Sequence, residues 1–183
     1  HMSQKDYKIQ IVEALLKKEN HVRGLAKELN TNQTTIARKT KELYQENAAD
    51  FQMEGKNKVF HLKKTLEAKQ YAYIAELHKL KEALQKYPRL RLITENIRKN
   101  PKITLALIFG SYAKGTAHKD SDIDLYLETK DKKLKEEVEL LDSKLSVKIG
   151  LYDPSNLLIK EIEKNHLLIK GIEVYYEKNR FFA

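Results

Sequence analysis

Two neighbouring segments of the sequence carry residues that could perform phosphate chemistry. The first is Gly110-Ser111, which follows an apolar run where Leu105, Leu107 and Phe109 alternate. This alternation predicts a strand that ends in a turn, and glycine allows the backbone to turn where a side chain would block it. The backbone amides after such a turn, together with the Ser111 hydroxyl, can bind phosphate groups.

The second segment is an aspartate pair, separated from the turn by a predicted loop at residues 112–119. Apolar and polar residues alternate again over residues 122–127, so Asp122 and Asp124 are predicted to leave one face of a second strand. Magnesium prefers oxygen ligands, keeps several waters and takes further ligands from substrate phosphates. The pair therefore predicts a site for magnesium or manganese beside a phosphate-binding turn.

The order of these features is a G-S turn, a second glycine at Gly115 and then the run S-D-I-D-L. It resembles the signature of the nucleotidyltransferase superfamily that includes polymerase β, specifically its minimal nucleotidyltransferase branch. The resemblance implies that Gly110 and Ser111 bind a nucleoside triphosphate. It also implies that Asp122 and Asp124 hold the catalytic metal ion.

Further residues of the loop are candidates for contact with the nucleotide, namely Tyr112, Lys114 and Ser121. Lys114 would oppose phosphate charge, whereas Tyr112 could equally be a packing residue. We interpret His118 and Asp120 as solvated turn residues, because nothing in the sequence pairs them at the spacing of a metal site.

The next predicted strand, residues 146–152, departs from the family pattern. Active members place a third carboxylate there, which helps to bind metal and draws the proton from the attacking hydroxyl. The position that we align with this acid is Lys148, which cannot bind magnesium. Its ammonium is expected to pair with the aspartates or to contact a nucleotide phosphate. Asp153 is the nearest acid downstream, and it should lie past the end of the strand.

Composition limits the classes of protein that remain. The chain has 183 residues, a formal net charge of +9 and 33% charged residues, which suits one or two small soluble domains. The absence of cysteine excludes disulfides and cysteine metal sites. No apolar run approaches the ~20 residues of a membrane span, and His1-Met2 resembles a cloning remnant with no signal peptide after it. We therefore expect a cytoplasmic protein that does not enter membranes.

The N-terminal region has the pattern of three helices followed by a hairpin. Apolar residues at helical spacing predict helices at residues 5–18, 22–29 and 34–45. Two short strands are predicted on either side of residues 54–58, whose glycine and asparagine suit a hairpin. Residues 4–63 thus resemble a winged helix-turn-helix domain, in which the helix after the turn enters the major groove of DNA.

The predicted DNA contacts lie on the third helix and at the tip of the hairpin: Asn32, Gln33, Thr34, Arg38, Lys41, Lys56 and Lys58. Arg38 could read guanine and Gln33 adenine, while the two hairpin lysines would meet phosphates or the minor groove. The alternative is an adaptor domain that binds another protein. Acidic residues dilute the basic patch at Glu42, Glu46 and Glu54.

Between these regions, residues 64–87 contain neither glycine nor proline, which predicts a long helix that ends before Pro88. Apolar residues recur along it at steps of four and three, at Tyr73, Leu77, Leu80, Leu84 and Tyr87. This spacing could form a seam between two copies of the chain. The alternative is that the helix packs against the protein's own domains.

The predicted fold class is α+β, or mixed. It combines an N-terminal winged helix-turn-helix domain at residues 1–63, a helical linker at 64–99 and an α/β nucleotidyltransferase-like domain with a small mixed sheet at 100–183. In the last domain, apolar spacing predicts a strand at 103–109 and a helix that runs from Asp131 to Leu145.

Three functions agree with these patterns, and the preferred one is a DNA-binding transcriptional regulator whose second domain binds a nucleoside triphosphate and magnesium, with weak transferase activity left open. The alternative is an active enzyme that transfers a nucleoside monophosphate to a hydroxyl of a protein, small molecule or nucleic acid. The third function, an antitoxin in a toxin-antitoxin pair, is a variant of that alternative. The expected partners are double-stranded DNA, a nucleotide, an acceptor protein or toxin, and a second copy of the chain.

Overall fold

The computed structural model describes residues 6–183, so His1-Met2 and the predicted helix start at Lys5 lie outside the described residues. The chain divides into two compact units. The first comprises the residues up to His78 together with Phe182 and Ala183, and the second comprises Lys79–Phe181.

The first unit contains three helices and a small antiparallel sheet: α1 (Tyr7–Lys17), β1 (Asn20–His21), α2 (Val22–Glu28), α3 (Gln33–Gln45), β2 (Ala49–Glu54) and β3 (Asn57–Leu62). The sheet has the strand order β1-β3-β2. Ile11, Leu25 and Ile36 come from different helices and are fully buried, so the three helices share one core. The helices and the hairpin predicted from the sequence are therefore present.

Side chains before α1, α2 and α3 accept hydrogen bonds from the first free amides of these helices. The Asn32 side chain accepts from the Thr35 amide at 2.8 Å, and His21 Nδ1 accepts from the Gly24 amide at 2.9 Å. Such caps satisfy donors that the helix itself leaves without partners, and they determine where each helix begins.

Helix α4 (Leu66–Lys86) begins in the first unit and ends in the second, just before Pro88 as predicted. Leu80 is buried in the second unit, and Leu84 and Tyr87 pack against the core of that unit. The C-terminal half of the predicted seam is thus part of a core, because spacings of three and four also suit a helix that packs within its own domain. Leu77, in contrast, is 49% exposed.

The second unit contains a four-stranded sheet with the strand order β6-β5-β4-β7. Its elements are α5 (Leu90–Lys99), β4 (Ala106–Phe109), α6 (Gly110–Lys114), β5 (Ile123–Glu128), α7 (Lys132–Glu139), β6 (Leu145–Gly150), α8 (Leu157–Lys164), β7 (Leu167–Lys170) and α9 (Ile172–Lys178). Strands β5 and β6 are parallel and the other pairs are antiparallel. This small mixed sheet confirms the predicted fold class.

Alternation along β5 separates the core from the site. Ile123, Leu125 and Leu127 are fully buried in the core on one face of the sheet, and Asp124 points to the other face because successive strand residues alternate. Helix α5 covers the core face with Leu90, Ile93 and Ile97 and their neighbours. The packed core therefore holds β5 in place under its aspartate.

Two boundaries differ from the prediction by three residues or more. The strand predicted to begin at residue 103 begins at Ala106. The helix predicted to extend to Leu145 ends at Glu139, and Leu145 opens β6 instead. Asp142 explains the second difference, since its Oδ1 accepts the Lys144 amide at 2.8 Å and stabilises a turn there.

Strand β6 lies at one edge of the sheet. On this strand the Val147 amide donates to Oε1 of Glu139, the last residue of α7, at 3.2 Å.

None of the helices in residues 6–183 combines the length and the apolar character that a membrane span requires.

Candidate functional site

The G-S turn and the aspartate pair meet at the junction of β4 and β5. Phe109, the last residue of β4, pairs with Asp124 across the antiparallel ladder. Gly110 follows with φ of +67°, and a Cβ built on it would overlap Asp124 Oδ2 and lie 3.2 Å from Cγ. The backbone of the turn therefore lies directly against the Asp124 carboxylate, an approach that a residue with a side chain would prevent.

The predicted loop after the turn is helical in its first part. Gly110 opens the short helix α6, and its N-cap residue, Phe109, makes no side-chain hydrogen bond to the first amides. Gly115 ends the helix with φ of +72°. The second glycine of the motif thus stops a helix whose first residue, Gly110, lies against Asp124.

Asp122 and Asp124 differ in their environment. Asp122 is exposed and immediately precedes β5, whereas Asp124 is part of the strand and partly buried. The pKa of Asp124 is raised, mainly because burial disfavours the carboxylate and further because Asp122 is negatively charged. Two carboxylates that repel each other in this way fit a divalent cation, which would relieve the repulsion.

The pair offers only two acidic ligands. Within residues 6–183, no group of three or more histidine, cysteine, aspartate or glutamate side chains is arranged to hold a metal ion. A magnesium or manganese ion at Asp122 and Asp124 would therefore take its remaining ligands from water and from phosphate oxygens.

The parallel neighbour β6 places Ser146 directly opposite Asp124, and Lys148 opposite Tyr126. Lys148 is exposed and lies on the same face of the sheet as Asp124. It is two residues beyond Ser146 along β6. Its charge lowers the pKa of Asp124 and partly offsets the effects of burial and of Asp122. The structure thus supports the predicted proximity of Lys148, but the residue that faces Asp124 directly is Ser146.

Asp153 does not join the pair. It lies beyond the end of β6, where its Oδ1 accepts the Ser155 amide at 2.9 Å and the Ser155 hydroxyl at 2.8 Å. Gly150, the last residue of β6, already pairs with Glu128, about 13 Å along the strands from Asp124 at ~3.3 Å per residue. Asp153 lies still further along the chain than Gly150, so it is too far from Asp124 to share a metal ion with it.

The remaining loop residues have structural partners. Tyr112 is buried and its ring meets that of Tyr87 edge-on at 4.9 Å, which favours the packing alternative. Lys114 Nζ lies 3.1 Å from Glu161 Oε1. Ser121 Oγ accepts the His118 amide at 3.0 Å and so closes the turn before Asp122. His118 and Asp120 are exposed, in agreement with their interpretation as turn residues.

In the first unit, every residue predicted to contact DNA is exposed: Asn32, Gln33, Thr34, Arg38, Lys41, Lys56 and Lys58. Thr34, Arg38 and Lys41 lie at positions i, i+4 and i+7 and therefore share one face of α3. Asn32 also caps this helix. Exposed Ala37 lies on the same face, and it was not among the predicted contacts because a small apolar residue gives no such signal in the sequence.

Glu42 follows Arg38 by four residues and therefore lies on the same face of α3, whereas Glu46 is the C-cap residue of the helix. Lys39 binds Glu42 at 2.8 Å and Lys8 binds Glu46 at 2.7 Å. These hydrogen bonds, from Lys39 and Lys8 respectively, are the main reason why the pKa values of Glu42 and Glu46 are lowered. The predicted dilution of the basic patch thus applies at Glu42, and Lys39 and Lys8 partly offset the charges of the two acids.

Comparison with known protein families identifies the kind of domain in the second unit. Residues 91–180 match the family model described as "Polymerase beta, Nucleotidyltransferase". No curated protein matches the sequence significantly. The matched segment includes the whole four-stranded sheet, the G-S turn and both aspartates. The second unit of the chain therefore carries a nucleotidyltransferase-like domain.

Proposed function

We propose that the protein is a DNA-binding transcriptional regulator whose nucleotidyltransferase-like domain binds a nucleoside triphosphate together with magnesium or manganese. The main observation in support is the close approach of the Gly110 backbone to the Asp124 carboxylate. It brings the start of α6 against Asp124, and Asp122 lies two residues earlier in the chain, which supports a site where phosphate oxygens and a metal ion are bound together.

Each residue of this site has a separate role in the proposal. The amides after Gly110 and the Ser111 hydroxyl hold the terminal phosphates, and Asp122 and Asp124 hold the metal ion, which would neutralise phosphate charge. Lys148, exposed on the same face, opposes the remaining negative charge. Tyr112 and Ser121 support the turn rather than the ligand, since one is buried and the other is hydrogen-bonded to the loop.

The proposal of a sensor rather than an efficient enzyme depends on the strand β6. Ser146 and Lys148 occupy its two positions near Asp124, and neither can accept a proton as a carboxylate does. General base catalysis contributes roughly 10²–10⁴-fold to rates. A site without this base is expected to hold a triphosphate for long periods before transfer occurs.

DNA binding is supported by the first unit. Its three helices and hairpin have the order of a winged helix-turn-helix domain, and α3 follows the turn after α2. In the proposed complex, Arg38 and Gln33 read base edges from the exposed face of α3. Lys56 and Lys58 at the hairpin contact phosphates or the minor groove.

The nucleotide proposal is tested by incubation of the full chain with each α-labelled nucleoside triphosphate and magnesium or manganese. Retention of label without release of pyrophosphate would support a sensor. Loss of binding is expected when Asp122 and Asp124 are both replaced by asparagine, because amides coordinate the ion much less strongly. Unchanged binding in that variant would refute the assigned site.

The same assay decides the second candidate function, an active nucleotidyltransferase, including the antitoxin-like role. This candidate is favoured by the presence of both carboxylates, although the charge of Asp122 raises the pKa of Asp124 in the free protein. Release of pyrophosphate with label on a protein, small molecule or nucleic acid would establish it. The acceptor would then identify the partner.

The DNA proposal is tested by gel retardation on a selected duplex. Arg38→Ala should weaken specific binding by about 1–3 kcal/mol, and Lys56→Ala should weaken binding to every sequence and flatten its salt dependence. Lys17→Ala is the matched control, since Lys17 is an exposed cation on α1 rather than on α3 or the hairpin. Failure of the wild-type protein to retard any duplex at low salt would leave the adaptor alternative.

A further inference from the structure

One face of the hairpin formed by β2 and β3 carries apolar side chains from the core out into solvent. Phe51 and Phe60 face each other across the two strands, and their rings lie 5.7 Å apart. Nearer the tip, Met53 faces Lys58, and it shares the face of Phe51 because strand side chains alternate. Phe60 is buried, whereas Met53 is 58% exposed. A large apolar side chain therefore stands in solvent close to the tip of the hairpin.

Tyr44 and Lys58 connect this face of the hairpin to α3. The Tyr44 ring lies 5.6 Å from the Phe51 ring, and Lys58 Nζ lies 4.2 Å from the centre of the Phe51 ring. Tyr44 is 48% exposed and follows Lys41 by three residues along α3, so it lies beside the face proposed to contact DNA. Tyr44, Phe51, Met53 and Lys58 are called the hairpin patch below. The patch therefore adjoins the proposed DNA-reading face.

The cations on and beside the hairpin patch have no acidic partner. Within residues 6–183, none of Lys41, Lys56 and Lys58 forms an ion pair. Glu54, the acid nearest the tip, follows Met53 directly in β2 and so points to the opposite face. An apolar surface beside unpaired cations suits a polyanion that also offers apolar base faces. These charges therefore favour DNA over another protein as the partner of the patch.

The width of the hairpin limits how it can meet a duplex. Paired strands lie ~4.8 Å apart, and their side chains add to this width. The minor groove of B-DNA is only ~6 Å wide, so the hairpin can enter it only if the groove opens. Proteins that open the minor groove frequently insert an apolar side chain between two base pairs, which unstacks them and bends the duplex. In the hairpin patch, Met53 is the exposed apolar side chain nearest the tip.

We propose that Met53 inserts between two base pairs from the minor groove beside the sequence that α3 contacts, and that the protein thereby bends its DNA. Lys58, which lies over the Phe51 ring, and Lys56 at the tip oppose the charge of the flanking phosphates. Pyrimidine–purine steps unstack most easily, so the inserted side chain is expected at such a step. This inference rests on the proposed DNA binding and adds to it a distortion of the duplex.

The test is energy transfer between dyes at the two ends of a short duplex, which is first selected from random sequences by binding to the full chain. The wild-type protein should shorten the distance between the ends, as expected for a bend of about 20–90°. Met53→Ala, which removes the inserted side chain, should still retard the duplex but leave it nearly straight. Met53→Leu retains an apolar side chain of similar size and should retain the bend.

A mismatched base pair provides a second measurement. A mismatch costs less to unstack, so the wild-type protein should bind a duplex with a mismatch at the inserted step at least about tenfold more tightly than the matched duplex. Met53→Ala should show no such preference. Leu66→Ala is the matched control, because Leu66 is an exposed apolar residue of the same unit but lies on α4. This control should bend the duplex and prefer the mismatch as the wild-type protein does.

The outcomes distinguish the inserted side chain from DNA binding itself. Retardation of the duplex by the wild-type protein without any bend would overturn the insertion of Met53 alone, and it would leave the hairpin patch as a surface for another protein. A bend of equal size in Met53→Ala would also overturn it. Absence of retardation of every duplex by the wild-type protein would overturn the proposed DNA binding as well.

Discussion

Replacement of Gly110 by alanine should affect both the stability and the ligand binding of the second unit. Alanine at φ of +67° enters the left-handed region, which costs about 1–2 kcal/mol for a residue with a Cβ. The new methyl group would also overlap Asp124 Oδ2, so the carboxylate must rotate away from the turn. We therefore expect a loss of stability from the backbone and a loss of metal-dependent triphosphate affinity from the displaced carboxylate.

Calorimetric unfolding measures the first effect. A loss of ~1 kcal/mol lowers the Tm of a domain of ~100 residues by about 4–8 °C. Gly115→Ala is the matched control, because φ is +72° there and the nearest atom to a new Cβ is Lys86 Nζ at 3.7 Å. This control should lose similar stability but retain its triphosphate affinity. Wild-type affinity in Gly110→Ala would refute the proposed role of the close approach between the turn and Asp124.

Three further expectations concern charges near the sheet. The pKa of Asp124 is raised in the folded state, so its protonated carboxyl stabilises the fold below about pH 4, and this stabilisation is lost as pH rises. Asp124→Asn should therefore raise the Tm at pH 7 and not at pH 3. A gain in Tm that does not depend on pH would contradict this. Ser146→Asp should raise magnesium affinity in titration calorimetry more than Lys148→Asp, because residue 146 faces Asp124; equal effects would contradict the register. Arg89 holds Asp142 in a bidentate ion pair and lowers its pKa, so this stabilisation is present above about pH 4 and is lost in acid. Arg89→Ala should cost about 0.5–1 kcal/mol at pH 7 in denaturant titrations, with a smaller loss at pH 3.

Local patterns in the sequence were sufficient for most elements of the fold. The alternation before Gly110 and around Asp124 predicted two strands, and the structure pairs them with Phe109 opposite Asp124. Pro88 correctly indicated the end of α4. These features depend on backbone chemistry and on side-chain periodicity over a few residues.

Features that depend on tertiary contacts were less predictable. The parallel register of β5 and β6 places Ser146 opposite Asp124. The two strands are separated in the sequence by α7, so this register has no local signal. The periodicity that continued to Leu145 could not show that the chain turns at Asp142. The burial of Tyr112 likewise depends on Tyr87, a partner distant in sequence.

The position of β6 at the edge of the sheet has a consequence for the behaviour of the protein at high concentration. An edge strand presents backbone groups that can pair with a strand of another molecule, and this is a common route to aggregation. Glu139 already occupies the Val147 amide, and the exposed charge of Lys148 lies at the next residue. Both features oppose the addition of a foreign strand. Neutral substitutions at Lys148 therefore remove a protective charge as well as a neighbour of Asp124, and they should increase light scattering by concentrated solutions more than Lys148→Asp does.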